Sequence, residues 1–543
     1  MSLLPRSARG RAHQVATAAV LLVLFNVPVA GAQEHDHPAG DPETLGTVTF
    51  ASSCAAEVAD ELNRAVAMLH SLWFTVAEEA FRQLAEADPT CAMAHWGLAM
   101  TLMGNPMTRA VPPEDALRAG LEAAEEAHRL AASQSHREQM YADAVVAYYS
   151  GPADRDFGSR ITAQEEALAA LYAAHPEDHE AAIFYGRAMI ANSPPDDLTF
   201  ARQLAAAEMM QPLFDAQPDH PGLAHYLIHA YDAPALAARG RDAARAYAEI
   251  APSAPHALHM PSHIFTRLGD WHESIETNAR SARAEPDSNA AVHPMDYLVY
   301  AHLQLGQDEA ARQVVERAVQ NPDRFYAGLL GYNFTAMPAR FALERNDWAA
   351  AASLRVPVDA LPFVEGVTRF ARTIGAARSG NPDAAQVDLA VLAQLESTLR
   401  ERGDSYWATV VQAQRLAGEA WVAHALGDDE AALRLAREAA EVEESVEKHP
   451  VTPGPILPAR ELEGDLLLEL DRPAEALSAY EITLQREPNR ARTLFGAARA
   501  AEAAGNVERA RAHYTALRTL MEEADATRPE PREADRFLAS AGE

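Results

Sequence analysis

The chain has 543 residues, more than one ordinary globular core holds, so several domains or one long repeat array are expected. It carries 78 acidic residues against 46 basic ones, which gives a formal net charge of −32. This charge argues against nucleic acid and anionic membrane surfaces as partners, because both bind through basic patches.

The first 32 residues have the pattern of a secretory signal. Three arginines at positions 6, 9 and 11 precede a short apolar stretch at 15–27, and the small residues at 30–32 fit the cleavage rule. We therefore expect a periplasmic or secreted protein, with an uncleaved N-terminal anchor as the alternative. No later segment has 18 consecutive apolar residues, so no membrane span is expected after signal removal.

Residues 33–50 are poor in large apolar side chains and predict a flexible leader. Two cysteines follow, Cys54 and Cys91. In an exported protein an even pair favours a disulfide, which here would join the segment before the first helix to the turn before the next hairpin. Two free buried thiols are the alternative.

From residue 51 onward the pattern is helical almost throughout, with alanine and leucine recurring at spacings of three and four. A period of 34 residues runs through it. The residues that keep this period are Pro218, Pro252 and Pro286 in the centre, then Ala476 with Ala510 and Tyr480 with Tyr514 near the end. A fixed period of this length indicates tandem helical hairpins.

The C-terminal hairpins resemble the tetratricopeptide repeat family. The family pattern is a small residue in helix A, a small residue opening helix B, an aromatic residue four later, and a closing proline. Gly464, Ala476, Tyr480 and Pro488 match it in that order. The resemblance implies an all-α fold, a curved α-solenoid whose A helices line the concave face. It also implies a peptide or periplasmic protein as the partner bound in that groove.

These patterns divide the chain into successive regions. We expect a histidine-lined solenoid over residues 51–345, divergent helical repeats with a proline-rich loop over 346–455, a C-terminal repeat pair over 456–525, and a tail over 526–543.

Histidines repeat in phase with the hairpins. His225, His259 and His293 lie 34 residues apart, and His229 and His263 repeat the same step. A sixth histidine, His256, lies three residues before His259 and seven before His263, so on one helix the three share a face. Counted from the family pattern, His225, His229, His259 and His263 face the concavity, where side chains of helices about 8–10 Å apart can converge. Because imidazole binds zinc, copper and iron, the sequence predicts a transition-metal site there.

Further polar residues could support this site. Asp232 or Asp296 could be an auxiliary ligand or orient an imidazole, and Tyr300 follows on the same helix. Arg340 lies on the concave phase and could hold a carboxylate or an anion; an exposed salt bridge is its alternative. His449 lies in the proline-rich loop at 446–465, for which a plain connector is the alternative.

Three functions compete at this point. The protein could bind a transition metal, serve as a scaffold whose polar groove binds a peptide or periplasmic complex, or be a metal-dependent hydrolase or redox enzyme. For the enzyme, His293 or Asp296 would be the general base. The sequence has no Gly-rich phosphate loop, no Gly-x-Ser-x-Gly, no Cys-x-x-Cys and no His-Glu-x-x-His, so no common motif decides between them.

Overall fold

The computed structural model describes residues 43–320 and 328–540, apart from Ala153 and Asp287. The predicted secretory signal and the first ten residues of the predicted leader lie outside these residues. The compact unit that begins at Thr44 is built of helices, and the residues described contain no strand. This is the all-α solenoid that the periodicity predicts.

The helices follow one another as antiparallel hairpins. The first ten are α1 (Ala59–His70), α2 (Phe74–Ala87), α3 (Ala92–Leu102), α4 (Glu114–Ala131), α5 (His136–Tyr149), α6 (Phe157–Ala174), α7 (His179–Ala191), α8 (Ala201–Ala216), α9 (Pro221–Tyr231) and α10 (Arg241–Ile250). Short 3₁₀ helices lie at Ala56–Val58, Pro106–Thr108, Ala237–Gly240 and Asn289–Ala291.

The central helices continue the array. They are α11 (Pro255–His259), α12 (Pro261–Leu268), α13 (Trp271–Ala284), α14 (Val292–Gln304), α15 (Asp308–Val319), α16 (Gly331–Leu343), α17 (Trp348–Ala352), α18 (Pro362–Arg378), α19 (Pro382–Glu401), α20 (Ser405–Ala425) and α21 (Asp429–Glu444). Pro261 is the first residue of α12, where its missing N–H costs no hydrogen bond. One inner helix is thereby divided into α11 and α12.

The last helices are α22 (Ala459–Glu469), α23 (Pro473–Arg486), α24 (Ala491–Ala503), α25 (Val507–Leu520) and α26 (Glu530–Ser540). Glycine–aromatic contacts set the spacing of these hairpins. A Cβ atom added to Gly496 would lie 2.4 Å from Cζ of Tyr480, and one added to Gly464 would lie 2.8 Å from the same ring. The small and aromatic positions of the repeat pattern therefore exist to let neighbouring helices approach closely.

The chain folds back on itself at two places. The N-terminal helix α1 packs against α9, and the C-terminal hairpins return to the centre, where Trp271 Nε1 donates to the Asn489 carbonyl at 2.8 Å. Gly269 has a left-handed φ of 69°, and a Cβ there would meet the Pro488 carbonyl at 2.3 Å. Both contacts bring distant repeats against the central inner helices.

A segment without regular structure, residues 445–458, runs between α21 and α22 and is called the inner segment below. Its Glu447 N–H donates to the Pro195 carbonyl at 3.0 Å, and the Asn333 side chain donates to the Val451 carbonyl at 2.8 Å. The inner segment thus touches both the N-terminal and the central repeats. It covers the inner helices rather than serving only as a connector.

Cys54 and Cys91 form a disulfide, which ties the residues before α1 to the start of α3. Among the helices described, none is long and apolar enough to cross a bilayer.

Candidate metal centre

Six histidines meet on three successive inner helices, of which the second is divided into α11 and α12. His225 and His229 lie on α9, His256 and His259 on α11, His263 on α12 and His293 on α14. They form two groups whose ring nitrogens lie within 4.8 Å of one another. The first triad is His225, His229 and His256, and the second triad is His259, His263 and His293.

The first triad is centred on the Nε2 atom of His225. His229 Nε2 lies 3.1 Å from it and His256 Nε2 lies 3.2 Å from it. The Nδ1 atom of His225 lies 2.6 Å from the carbonyl oxygen of His70. A carbonyl only accepts, so Nδ1 carries the proton, and in the neutral ring Nε2 presents a bare lone pair to the triad.

The second triad shows the same arrangement twice. His259 Nδ1 donates to Asn278 Oδ1 at 2.6 Å, and His263 Nδ1 donates to Asp232 Oδ2 at 2.8 Å. The Asn278 amide is oriented by its own N–H, which donates to the Ser274 carbonyl at 2.6 Å. The Nε2 atoms of His259 and His263 then face each other at 3.1 Å. In neutral rings both are acceptors, so no hydrogen bond can join them, whereas a shared cation would.

His293 completes the second triad, with its ring centroid 4.3 Å from that of His259. Its Nδ1 atom is buried and has no hydrogen-bond partner of normal geometry in the part of the chain that is described. The Val451 backbone raises the pKa of this ring, although the two groups do not meet in hydrogen-bonding geometry. A buried, unpaired polar atom at this place is a costly feature that a bound ion would relieve.

Burial keeps the imidazoles neutral. It holds the pKa values of His225, His229, His256, His259 and His293 well below the ordinary range, and the neighbouring imidazoles add to this effect. Burial also lowers the pKa of His263, against the opposing pull of the Asp232 carboxylate. Near neutral pH the six rings are therefore unprotonated on one nitrogen, the state in which imidazole binds metals.

The two triads adjoin. The ring centroids of His229 and His263 are 5.9 Å apart, and those of His256 and His259 are 6.1 Å apart. The six imidazoles therefore form one continuous cluster with room for two ions side by side.

A charged group supports the second triad from behind. Asp232, which accepts from His263, also receives Lys448 Nζ at 3.0 Å and Arg267 Nε at 2.9 Å. Burial alone would raise the pKa of this carboxyl, but Lys448, Arg267 and His263 together hold it well below its usual range. Asp232 therefore stays ionised and fixes the tautomer of His263, the role that carboxylates commonly take behind metal-binding histidines.

The other predicted supporting residues lie elsewhere. Asp296 receives Arg340 Nε at 3.2 Å and the Asn333 amide at 3.2 Å. Tyr300 donates to Glu487 at 3.3 Å, and His449 Nε2 donates to the Thr108 carbonyl at 3.2 Å. Arg340 holds the inner segment through the Gly454 and Pro455 carbonyls, both at 2.6 Å. Of the five, the structure brings only Asp232 to the histidines.

Tyr297 is a neighbour of the second triad that the sequence analysis did not assign to the site. Its ring centroid lies 5.0 to 5.3 Å from those of His259, His263 and His293, and its hydroxyl donates to the Thr452 carbonyl at 3.2 Å. The signal was present, since Tyr297 follows His263 by the same 34 residues that separate His263 from His229.

Two other clusters have metal-ligand chemistry but are already satisfied. His70 Nε2 and His220 Nε2 each donate to Glu180 at 2.9 Å. Burial would raise the pKa of Glu180, but the two histidines prevail and lower it, so this group is a buried hydrogen-bonded network. The cluster of Cys54, Asp88 and Cys91 offers no thiolate, because its sulfurs form the disulfide.

One side of the histidine cluster opens to a pocket of about 130 Å³. The residues that line it include His256, His259 and His293 together with Leu72 and Trp73. A small molecule in this pocket would lie against imidazoles of both triads.

Comparisons with known proteins place the fold. A family model described as tetratricopeptide repeat matches residues 462–541, which include the hairpins that carry the pattern most fully. This match covers 80 of the 543 residues, and it identifies that C-terminal part of the chain as tetratricopeptide repeats. Such a fold suggests a protein-binding scaffold. A comparison with curated protein sequences finds no significant match.

Solved structures of helical repeat proteins are similar at low identity. A tetratricopeptide repeat protein from Parabacteroides merdae is 13% identical, over 54% of this chain and 100% of its own, with a TM-score of 0.27. Human IFIT1, solved as a dimer with m7Gppp-AAAA, is 12% identical over 78% of this chain and 89% of its own, with a TM-score of 0.39. A chain of the APC/C hetero-tetramer Cut9–Hcn1 is 11% identical over 89% of this chain and 96% of its own, with a TM-score of 0.28.

Proposed function

We propose that this tetratricopeptide repeat protein binds two transition-metal ions, one in each histidine triad. The observation that carries the proposal is the pair of Nε2 atoms of His259 and His263, 3.1 Å apart. Their Nδ1 protons are committed to Asn278 and Asp232, so both lone pairs point into the space between them. In neutral rings the two lone pairs repel each other, whereas a metal ion between them would be coordinated by both.

The ligand set selects the class of metal. Three imidazoles and no carboxylate in either triad favour zinc, copper or iron over calcium and magnesium, which prefer oxygen. Three protein ligands also leave a coordination position free, the arrangement of catalytic rather than purely structural sites. Three protein ligands with one free coordination position are consistent with a metal-dependent redox or hydrolytic activity.

The inner segment favours a metal over a peptide at this place. Lys448 and Thr452 of the chain itself contact the residues behind the second triad, Asp232 and Tyr297. An extended peptide laid along these histidines would have to displace the inner segment. Location outside the cytoplasm remains part of the proposal and rests on the sequence of residues 1–32 alone.

Elemental analysis of the full chain purified without an affinity tag tests the proposal. We expect about two equivalents of one transition metal per chain, since the two triads offer two complete three-nitrogen ligand sets. The His259→Ala/His263→Ala double variant should lose at least the ion of the second triad. His272→Ala is the matched control, because this histidine is exposed on α13, and it should keep the wild-type content.

Protein that contains no metal, and that takes up neither zinc nor copper nor iron when these are added, would contradict the proposal. Equal metal content in the double variant and the control would contradict the assignment to these histidines.

A further inference from the structure

We infer that the metal centre takes a small ligand with a donor atom and an apolar body from outside, through the pocket that opens on His256, His259 and His293. This inference rests on the proposed function and deepens it. It assigns the free coordination position to one face of the cluster and gives the ligand a chemical class.

The other faces of the cluster are closed by the protein. His225 lies against the backbone of α1 through the His70 carbonyl, and a Cβ at Gly222 would already touch His70. On the opposite side Asp232, Lys448 and Tyr297 stand behind His263. Between these two sides the pocket opens on the cluster, and its lining includes one histidine of the first triad and two of the second.

The pocket is large enough for a small molecule. Its volume of about 130 Å³ is roughly ten times the ~10–15 Å³ that a cavity needs to hold one water. The pocket lies between two repeats that are distant in sequence, because its lining comes from residues just before α2 and just after α13. Trp73 Nε1 donates to Glu285 Oε1 at 3.2 Å between these two repeats, which fixes the indole as a wall.

The walls favour a ligand with an apolar body. They are mostly apolar, with Leu72, Trp73, Pro255, Ala290 and Pro294 among them. Among the described residues that line the pocket, the one ionisable side chain beside the histidines is the Glu285 carboxylate, and the whole chain has a net charge of −32. These negative charges oppose an anion, but the bound ions would attract one, so the walls rather than charge define the ligand as a small molecule with a donor atom and an apolar body.

Carbon monoxide bound to the copper(I)-loaded full chain tests the inference. Carbon monoxide is neutral, needs a free coordination position and reports its binding through the infrared C–O stretch. Copper content is measured separately on every sample. We expect a C–O band in the wild type, and at least tenfold weaker carbon monoxide binding in Ala290→Trp, which adds a large side chain at an exposed residue of the pocket lining. The matched control is Ala503→Trp, an exposed position on α24, which should bind like the wild type.

The outcomes separate the two proposals. If the histidines bind no copper, the proposed function fails. If copper is bound at wild-type level but no C–O band appears, the metal site stands and the open position is wrong. If Ala290→Trp keeps both copper and full carbon monoxide affinity, or if the Ala503→Trp control loses as much, the assigned route is wrong.

Azide on the copper(II)-loaded chain tests whether ligands pass Glu285. Glu285→Gln keeps the hydrogen bond from Trp73 and removes the negative charge, so azide affinity should rise by about threefold or more, the order expected for one nearby unit charge. Carbon monoxide affinity should not change. Equal azide affinity in the wild type and in Glu285→Gln would contradict a route past this carboxylate.

Discussion

At the scale of single residues, the centre depends on which ring nitrogen carries the proton. In His225, His259 and His263 the Nδ1 N–H donates to a group that can only accept. These acceptors are a backbone carbonyl, an amide oxygen and a carboxylate, respectively. The Nε2 lone pairs are thereby directed inward before any ion arrives. Such preorganisation raises affinity, because binding does not have to select the tautomer or the ring orientation.

The Asp232→Asn substitution tests this role. The amide oxygen can still accept from His263, but the negative charge that strengthens the imidazole as a ligand is gone, so metal affinity should fall by about 10- to 100-fold. Competition with a chelator of known affinity measures this. Asp143→Asn, which changes an exposed carboxylate beside His128, is the control. Unchanged affinity in Asp232→Asn, with the variant folded, would refute the role assigned to Asp232.

The lowered pKa values of the histidines predict an acid-sensitive metal-free protein. Because their folded-state pKa values lie below 6.5, the unfolded chain takes up protons first as the pH falls. The free energy of unfolding should drop between pH 7 and pH 5, by up to about 1.4 kcal/mol per pH unit for each histidine that stays neutral. Buried acids oppose this, Glu443 among them, since burial raises its pKa to about 8, but they are fewer.

Urea unfolding of the metal-free chain at pH 7, 6 and 5 measures this slope. The His229→Gln/His256→Gln variant is the comparison, because glutamine does not titrate, and its stability should depend less steeply on pH. A wild-type stability that is flat or rises toward pH 5 would count against neutral, buried imidazoles.

At the scale of elements, the inner helices are aligned by their neighbours. Helix α9 presents His225 correctly only because α1 crosses it closely enough for the His70 carbonyl to reach the ring. Gly222 makes that crossing possible, since a Cβ there would lie 2.6 Å from His70 Nδ1. The metal site therefore depends on contacts between repeats that are far apart in sequence.

Gly222→Ala should separate α1 from α9. We expect a loss of about 1–3 kcal/mol in the free energy of unfolding, the usual cost of overpacking, together with weaker metal binding through His225. Gly158→Ala is the matched control, because the nearest atom to its added Cβ, an Asp156 oxygen, is 3.9 Å away. Thermal or urea unfolding with metal titration measures both. Equal behaviour of the two variants would contradict the account of the crossing.

At the same scale, Arg340 makes three hydrogen bonds to the inner segment. Arg340 donates to the Gly454 and Pro455 carbonyls and to the Thr452 hydroxyl, and it pairs with buried Asp296. Arg340→Lys keeps the charge but lacks the planar array of donors. Amide hydrogen exchange in residues 449–458 should then be at least tenfold faster. Arg312→Lys, on an exposed ion pair, should leave exchange there unchanged, and protection equal to wild type in Arg340→Lys would contradict the tether.

At the scale of the whole molecule, the sequence revealed the repeat and the histidine phase but not the closure of the chain. The 34-residue spacing predicts that His225, His259 and His293 face one groove, because equivalent positions of stacked hairpins align. It could also have revealed Tyr297. Asn278 and the His70 carbonyl could not be predicted, since one lies on an outer helix and the other on a repeat brought near by long-range packing.

The supporting residues show the same limit. Asp296 has the spacing of a site residue, yet its carboxylate pairs with Arg340, because a buried charge goes to the nearest cation. Lys448 has no periodic signal, and only the path of the inner segment brings it to Asp232. Repeat spacing specifies the inner face, while the partners of each side chain depend on how the array closes.

X-ray absorption at the metal edge of the natively loaded, untagged protein tests the central claim most directly. Two three-histidine sites predict a first shell of nitrogen at about 2.0–2.1 Å with no sulfur, and the outer-shell scattering of imidazole rings. That imidazole signal should weaken in the His259→Ala/His263→Ala variant. A shell dominated by oxygen or sulfur, or imidazole scattering that the variant leaves unchanged, would contradict the claim.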